Sequence, residues 1–242
     1  MVTIRGNSFT INPTHEPSPP GCVIRVGRPT AFPMPRSIAM LAAFLGGFAV
    51  MVLEIAGMRL LARDFGSSFY VWTSQIGVVL VALTIGYIVG GQLADRFPSP
   101  KILVCLLPLA GLFTTLIPEM APPILAAIVN RHPTDVEIPR IWQKLDPAFG
   151  AALIFLPPCF VLAMLPPFLI RLGTHAIAEV GRLSGLIYGS SSAGSIAGVF
   201  ISGYLLIDLM SLPQICRATG IVVIALAGLG IPKSPSTHAT KS

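Results

Sequence analysis

Long apolar runs constrain this chain more than any motif does. Six stretches, at about residues 38–61, 72–94, 102–117, 148–170, 183–207 and 214–231, approach the roughly 20 residues that a helix needs to cross about 30 Å of hydrocarbon. Hydrophobic residues make up 53% of the chain and charged residues only 11%. Lipid offers the backbone no hydrogen-bond partners, so such runs must satisfy their N–H and C=O groups internally, as helices. The sequence therefore predicts an all-α membrane protein with six transmembrane helices.

The polar segments fit that plan. Residues 1–36 are rich in Pro, Gly and Arg and lack an apolar stripe, which predicts a disordered tail. Residues 119–147 read as one long outer loop holding at most a surface-lying helix, with Trp142 either an interface anchor or a solvent-exposed loop residue. Residues 232–242 form a second polar tail. Lys and Arg outnumber Asp and Glu, 16 to 10, but are scattered over helix ends and tails, so they serve orientation better than nucleic-acid binding. Their bias places both termini in the cytoplasm, with the domain in the inner membrane. Pro108 predicts a bend in the third span, and Pro157-Pro158 with Pro166-Pro167 predict a broken fourth span. Cys22, Cys105, Cys159 and Cys216 lack metal or redox spacing and read as small hydrophobes; neither cofactor nor metal is expected.

Charges within apolar spans carry the functional expectations. Glu54 interrupts VMVLEIAGM, where a carboxylate facing lipid would cost several kcal/mol, so it should face protein or water, or be protonated. Arg59 is five residues on, about 140° round the helix, and poorly placed to pair with it. Gln75, Asp208 and Arg217 are the better partners. The group Glu54, Arg59, Gln75, Asp208 and Arg217 reads either as a solute or proton pathway or as structural pairing. Asp95 closes the second span, where the helix dipole disfavours a carboxylate, so it should seek a cation. Asp95, Arg96, Lys101 and Arg171 read as a cytoplasmic gate or a static loop lock, and Arg59 and Arg171 also suit snorkelling anchors.

Two weakly similar halves are visible. Gly90-Gly91-Gln92-Leu93-Ala94-Asp95 aligns without gaps over Gly203-Tyr204-Leu205-Leu206-Ile207-Asp208, and onward Pro100 falls over Pro213. Three spans per half is an odd number, so the halves must be two inverted three-helix repeats, a plan that places function between them. Gly189, Gly194, Gly198 and Gly203 are expected at close helix contacts.

The pattern GGQLADRFPSPK resembles the loop between the second and third helices of major facilitator superfamily transporters, and six spans make half the usual complement, a half-facilitator plan. LEIAGMRLLARDFGSS, GGQLADR, LPPFLIRL and GRLSGLIYGSSSAGSIAGVFISGYLL, in that order, resemble the membrane part of bacterial fused transporter–spermidine synthases. The resemblance covers about residues 37–231. It implies a transporter-like module working beside a soluble aminopropyltransferase-like domain. The glycine-rich turn and acidic residues of that domain have no counterpart among these 242 residues, so the expectation is a module that is not itself an enzyme.

Two functions follow as expectations: a transporter-like or small-solute-binding module, and an accessory or scaffold subunit of a larger membrane complex. The partners to expect are the lipid bilayer, a second copy, a separately encoded aminopropyltransferase-like protein or complex subunits. A lipid-modifying enzyme fits poorly. His132 and His175 fall on opposite predicted sides of the membrane, and Ser190 to Ser192 have no adjacent base.

Overall fold

A computed structural model describes residues 35–132, 138–174 and 179–229, so the expected tails and His175 lie outside the described residues. Every regular element among the described residues is helical. In chain order these are α1 (Arg36–Phe65), α2 (Phe69–Arg96), α3 (Pro100–Val129), α4 (Arg140–Ala163), α5 (Leu165–Gly173), α6 (Val180–Ile201), a π turn (Ser202–Leu206), α7 (Ile207–Leu209) and α8 (Leu212–Leu229). Five runs are long and apolar enough to span a bilayer: α1, α2, α3, α4 with α5, and α6 through α7. The apolar helix α8 is shorter, and its 18 residues cover about 27 Å at 1.5 Å per residue. By length and composition this is a multi-pass membrane protein.

The third and fourth spans differ from their sequence expectations. Residues 119–147 are not a long loop, because α3 continues through Pro118, Pro122 and Pro123 to Val129 and α4 begins at Arg140. The reason is the unbroken stripe Leu107, Ala110, Thr114, Ile117, Ala121 and Leu125, which keeps helical spacing and stays buried along its whole length. Burying it offsets the hydrogen bonds that the prolines remove, a cost that neighbouring helices commonly absorb in membranes. Pro108 likewise sits inside a continuous helix. The break in the fourth span falls at Met164, not at Pro157-Pro158. There the Met164 N–H donates back to Val161 O at 3.2 Å, and Pro166 and Pro167 occupy the opening turn of α5, where missing N–H groups are harmless.

The most extensive packing joins α1 to α6, α2 to α4 and α3 to α8. Each of these pairs takes one helix from the first three spans and one from the last three. Small residues line all three seams. A Cβ on Gly198 would stand 2.7 Å from Phe48 O, one on Gly194 would strike Phe44 O, and one on Gly47 would strike Ser191 O. On the second seam a Cβ on Gly86 would stand 2.6 Å from Phe160 O and one on Gly90 2.7 Å from Met164 Cα; on the third, one on Gly111 would stand 2.6 Å from Gly220 O. Backbones approach that closely only where no side chain intervenes. Gly189 and Gly203 lie elsewhere: both are exposed, with no atom within 4 Å of the Cβ position.

The registers of these seams are related. Phe44 faces Gly194 and Phe48 faces Gly198, an offset of 150 residues, and the two helices run parallel. On the second seam Gly86 faces Phe160 and Ala163, Gly90 faces Met164 and Asp95 faces Arg171, offsets of 74, 77, 74 and 76. The sequence alignment of Gly90 with Gly203 has an offset of 113. Exchanging two gapless copies at that offset turns a first-seam offset of 150 into twice 113 less 150, which is 76.

Two outer helices, α2 and α6, keep apolar side chains on their free faces, among them Trp72, Leu80 and Ile88 on α2 and Ile196, Phe200 and Tyr204 around α6. In water such a surface would drive aggregation; in lipid it is the required exterior. The seams yield the first prediction. Gly194→Leu should cost about 1–3 kcal/mol through overpacking, seen as a lower unfolding temperature in mild detergent, while Gly189→Leu should leave that temperature unchanged.

Candidate functional site

Gln75 is the most constrained polar residue in the bundle. It lies on α2, has no solvent exposure, and neither its Nε2 nor its Oε1 has a hydrogen-bond partner. Its amide fills the space that a side chain at Gly57 of α1 would need, with Phe155 of α4 against the same position. Glu54 lies three residues before Gly57, so it projects from a neighbouring face of α1 and is half-buried. An unpartnered buried amide costs about 1–3 kcal/mol, a cost retained at few places without a purpose. The junction of α1, α2 and α4 therefore concentrates polarity where the rest of the core is apolar.

The other residues named with Glu54 are placed elsewhere. Arg217 of α8 reaches Glu119 of α3, with Nη2 2.5 Å from Oε1. Asp208 is exposed on α7, and Arg59 is exposed near the end of α1. Among the described residues neither has an ion-pair partner, and Glu54 has none either. Of the three expected partners, only Gln75 is brought to the Glu54 region of α1.

At the opposite end of the bundle Asp95 and Arg171 meet. Arg171 Nε on α5 stands 3.1 Å from Asp95 Oδ1 at the last turn of α2. A cation at that carboxylate answers the unfavourable helix-dipole position. Arg96 turns over the Phe97 ring at 5.9 Å, and Lys101 lies exposed at the start of α3, its backbone N–H donating to Ser99 Oγ. Hence two of the four expected gate residues touch. Arg36 and Glu179 add a 2.9 Å pair between the N-terminal ends of α1 and α6.

Sequence reasoning missed one cluster. Asp146, buried in the second turn of α4, accepts from Arg131 and pairs with His132 Nε2 at 2.7 Å, both just past the end of α3. The Arg131 guanidinium lies 4.3 Å above the Trp142 ring, so Trp142 is half-buried in a corner and not free in a loop. Cations after a helix C-terminus also suit its dipole. The signal was the apolar run 124–129, whose helical continuation carries Arg131 and His132 to α4.

Two openings lie between helices of the bundle. A cleft of about 170 Å³ is lined by Arg63 and Asp64 of α1, Pro118 and Leu125 of α3, and Pro213 and Cys216 of α8. A slot of about 40 Å³ lies between α1, α2, α5 and α6, beside Gly47, Tyr87, Ser191 and Ser195. Among the described residues there is no group of three or more His, Cys, Asp or Glu arranged to hold a metal.

The sequence matches no family model, and neither curated proteins nor solved structures give a match.

Two substitutions separate the Asp146 corner from the Asp95–Arg171 pair. Asp146→Ala removes a buried acceptor shared by Arg131 and His132 and should cost about 1–3 kcal/mol, read as a lower unfolding temperature in detergent. Asp95→Asn breaks an exposed pair and should cost less than about 1 kcal/mol by the same measurement.

Proposed function

We propose that this chain is a transporter-like membrane module that binds a small polar solute or a proton between two inverted three-helix halves. The observation that supports it best is Gln75, a fully buried amide with both polar atoms unpartnered, packed on α1 at Gly57, one helical turn along α1 from Glu54. In this reading Glu54 and Gln75 supply the polar contacts: a carboxyl group that accepts or donates according to its protonation and an amide that does both. Polar groups at membrane depth are expensive and commonly mark such pathways. The matching seam registers support the two-half plan. Asp95 and Arg171 then hold the cytoplasmic end shut, with Arg96 and Lys101 beside them. The module belongs in the inner membrane with both termini in the cytoplasm, and its relatives by resemblance are the membrane parts of fused transporter–spermidine synthases.

A scaffold role in a larger complex has one observation of its own. Gly185, Gly189 and Gly203 face away from the chain's other helices, leaving space that a neighbouring subunit's backbone would fill.

Two measurements test these readings. Gln75→Leu removes both unpartnered atoms at similar volume, so the unfolding temperature should hold or rise. Stabilisation of the purified protein by any bound solute should fall at least tenfold in Gln75→Leu and in Glu54→Gln. Solute stabilisation that survives both changes would remove these residues from the site. For the two-half plan, Arg59→Cys and Arg171→Cys should react with a membrane-impermeant maleimide from opposite faces of sealed vesicles; reaction from one face would refute the inversion.

A further inference from the structure

Glu54 lies at the end of a strip along α1. Ala43, Gly47, Val50 and Glu54 follow one another at spacings of four, three and four, which keeps them within about 40° of one direction round the helix. The first three floor the slot of about 40 Å³, so the line of the slot leads to the carboxylate. Its walls belong to different helices. Leu83 and Tyr87 of α2 stand on one side, and Ser191 and Ser195 of α6 on the other. The junction of α4 with α5 adds Ala163 and Leu165.

The slot opens sideways. Helix α2 packs chiefly on α4 and α6 chiefly on α1, with no extensive contact between α2 and α6 themselves. Both carry apolar side chains on their outer faces, Leu80 and Ile88 on one, Ile196 and Phe200 on the other. A gap between two lipid-facing helices leads to acyl chains and not to water.

The strip lacks a counter-charge. Glu54 has no ion-pair partner among the described residues, whose Arg and Lys side chains sit at or near helix ends. A carboxyl group at membrane depth needs a cation or a proton. The next polar group along this side of α1 is the Gln75 amide at Gly57, whose oxygen is a second unpartnered acceptor. A primary ammonium offers three donors and the missing charge. An anion would be repelled, and a plain hydrocarbon would leave both acceptors unanswered.

We propose that this groove takes an amphipathic primary amine from the bilayer, with its ammonium on Glu54 and its hydrocarbon chain in the slot between α2 and α6. This rests on the reading of Glu54 as a binding group and names the class of solute. The chain of such a ligand already resides in the membrane, so the lateral opening is its entrance, and the apolar slot walls hold it without any further polar contact.

The test uses the full chain in phosphatidylcholine vesicles. Tyr87→Trp places an indole at the slot wall. Its quenching, taken as the increment over the unsubstituted chain, is measured with dodecylamine and with dodecanol, each brominated on the chain. The amine should reach half-maximal quenching at a membrane concentration about fivefold or more below the alcohol's, the worth of one ion pair, and Glu54→Gln should abolish that preference. Leu83→Trp, one turn along the same wall, should give the same order. Equal quenching by both compounds, or a preference that survives Glu54→Gln, overturns the inference. Ethylamine, which lacks the chain, keeps the failures distinct. If ethylamine raises the unfolding temperature of the chain but not of Glu54→Gln, while the brominated compounds show no preference, the route from lipid is rejected and the binding role of Glu54 stands. If neither amine depends on Glu54, the inference falls, and the solute stabilisation measured in Gln75→Leu decides whether the site itself survives.

Discussion

Three glycine seams hold this molecule together, and the rest of its structure depends on how closely they let backbones approach. In lipid the hydrophobic effect does not favour one apolar helix face over another, so association falls to van der Waals contact and a few polar links. Gly194 and Gly198 against α1, Gly86 and Gly90 against α4 and Met164, and Gly111 against α8 provide that contact. Each seam joins a helix of the first half to one of the second. The longest-buried spans, α1 and α4 with α5, become central because both are engaged by several neighbours, while α2 and α6 turn their outer faces to lipid.

Polar groups are distributed in a way that this packing makes intelligible. Ion pairs occur at helix ends, where long side chains reach each other and water: Arg36 with Glu179 and Asp95 with Arg171 at one end, Glu119 with Arg217 and the Asp146 corner at the other. The interior holds very little polarity, and Gln75 is the exception that no neighbouring group relieves. Thr114 and Thr219 show the ordinary solution to the same problem, each hydroxyl donating to the carbonyl four residues before it. Gln75 is too long to turn back in that way and projects across the interface to Gly57.

Much of the architecture was legible in the sequence because membrane spans announce themselves by length. The first, second and fifth spans are found within a few residues of their expected places, and the sixth stretch is an apolar helix shorter than the other five. The third and fourth were misjudged because Pro118, Pro122 and Pro123, with the charges after them, suggest a loop, whereas the buried stripe through Leu125 decides for helix. Composition also misassigned two glycines: Gly189 and Gly203 look like Gly194 and Gly198 in sequence, and only the rotation of α6 about its axis tells them apart. The meeting of Asp95 with Arg171 follows from a dipole argument. The partnership of Arg217 with Glu119 does not, because it requires knowing that α3 extends far enough to bring Glu119 to α8.

The π turn after α6 adds extra winding at Ser202–Leu206, and the seams that precede it set a clock on assembly. Phe44 must wait for Gly194, and at about 5–20 residues per second the ribosome needs roughly 8–30 s to supply the 150 residues between them. During that interval α1 stands in the bilayer without its principal partner, α6. Biosynthesis thus passes through a half-built bundle whose glycine faces are open to any other helix nearby, and the insertion machinery or the lipid itself must keep them unclaimed until the second half arrives.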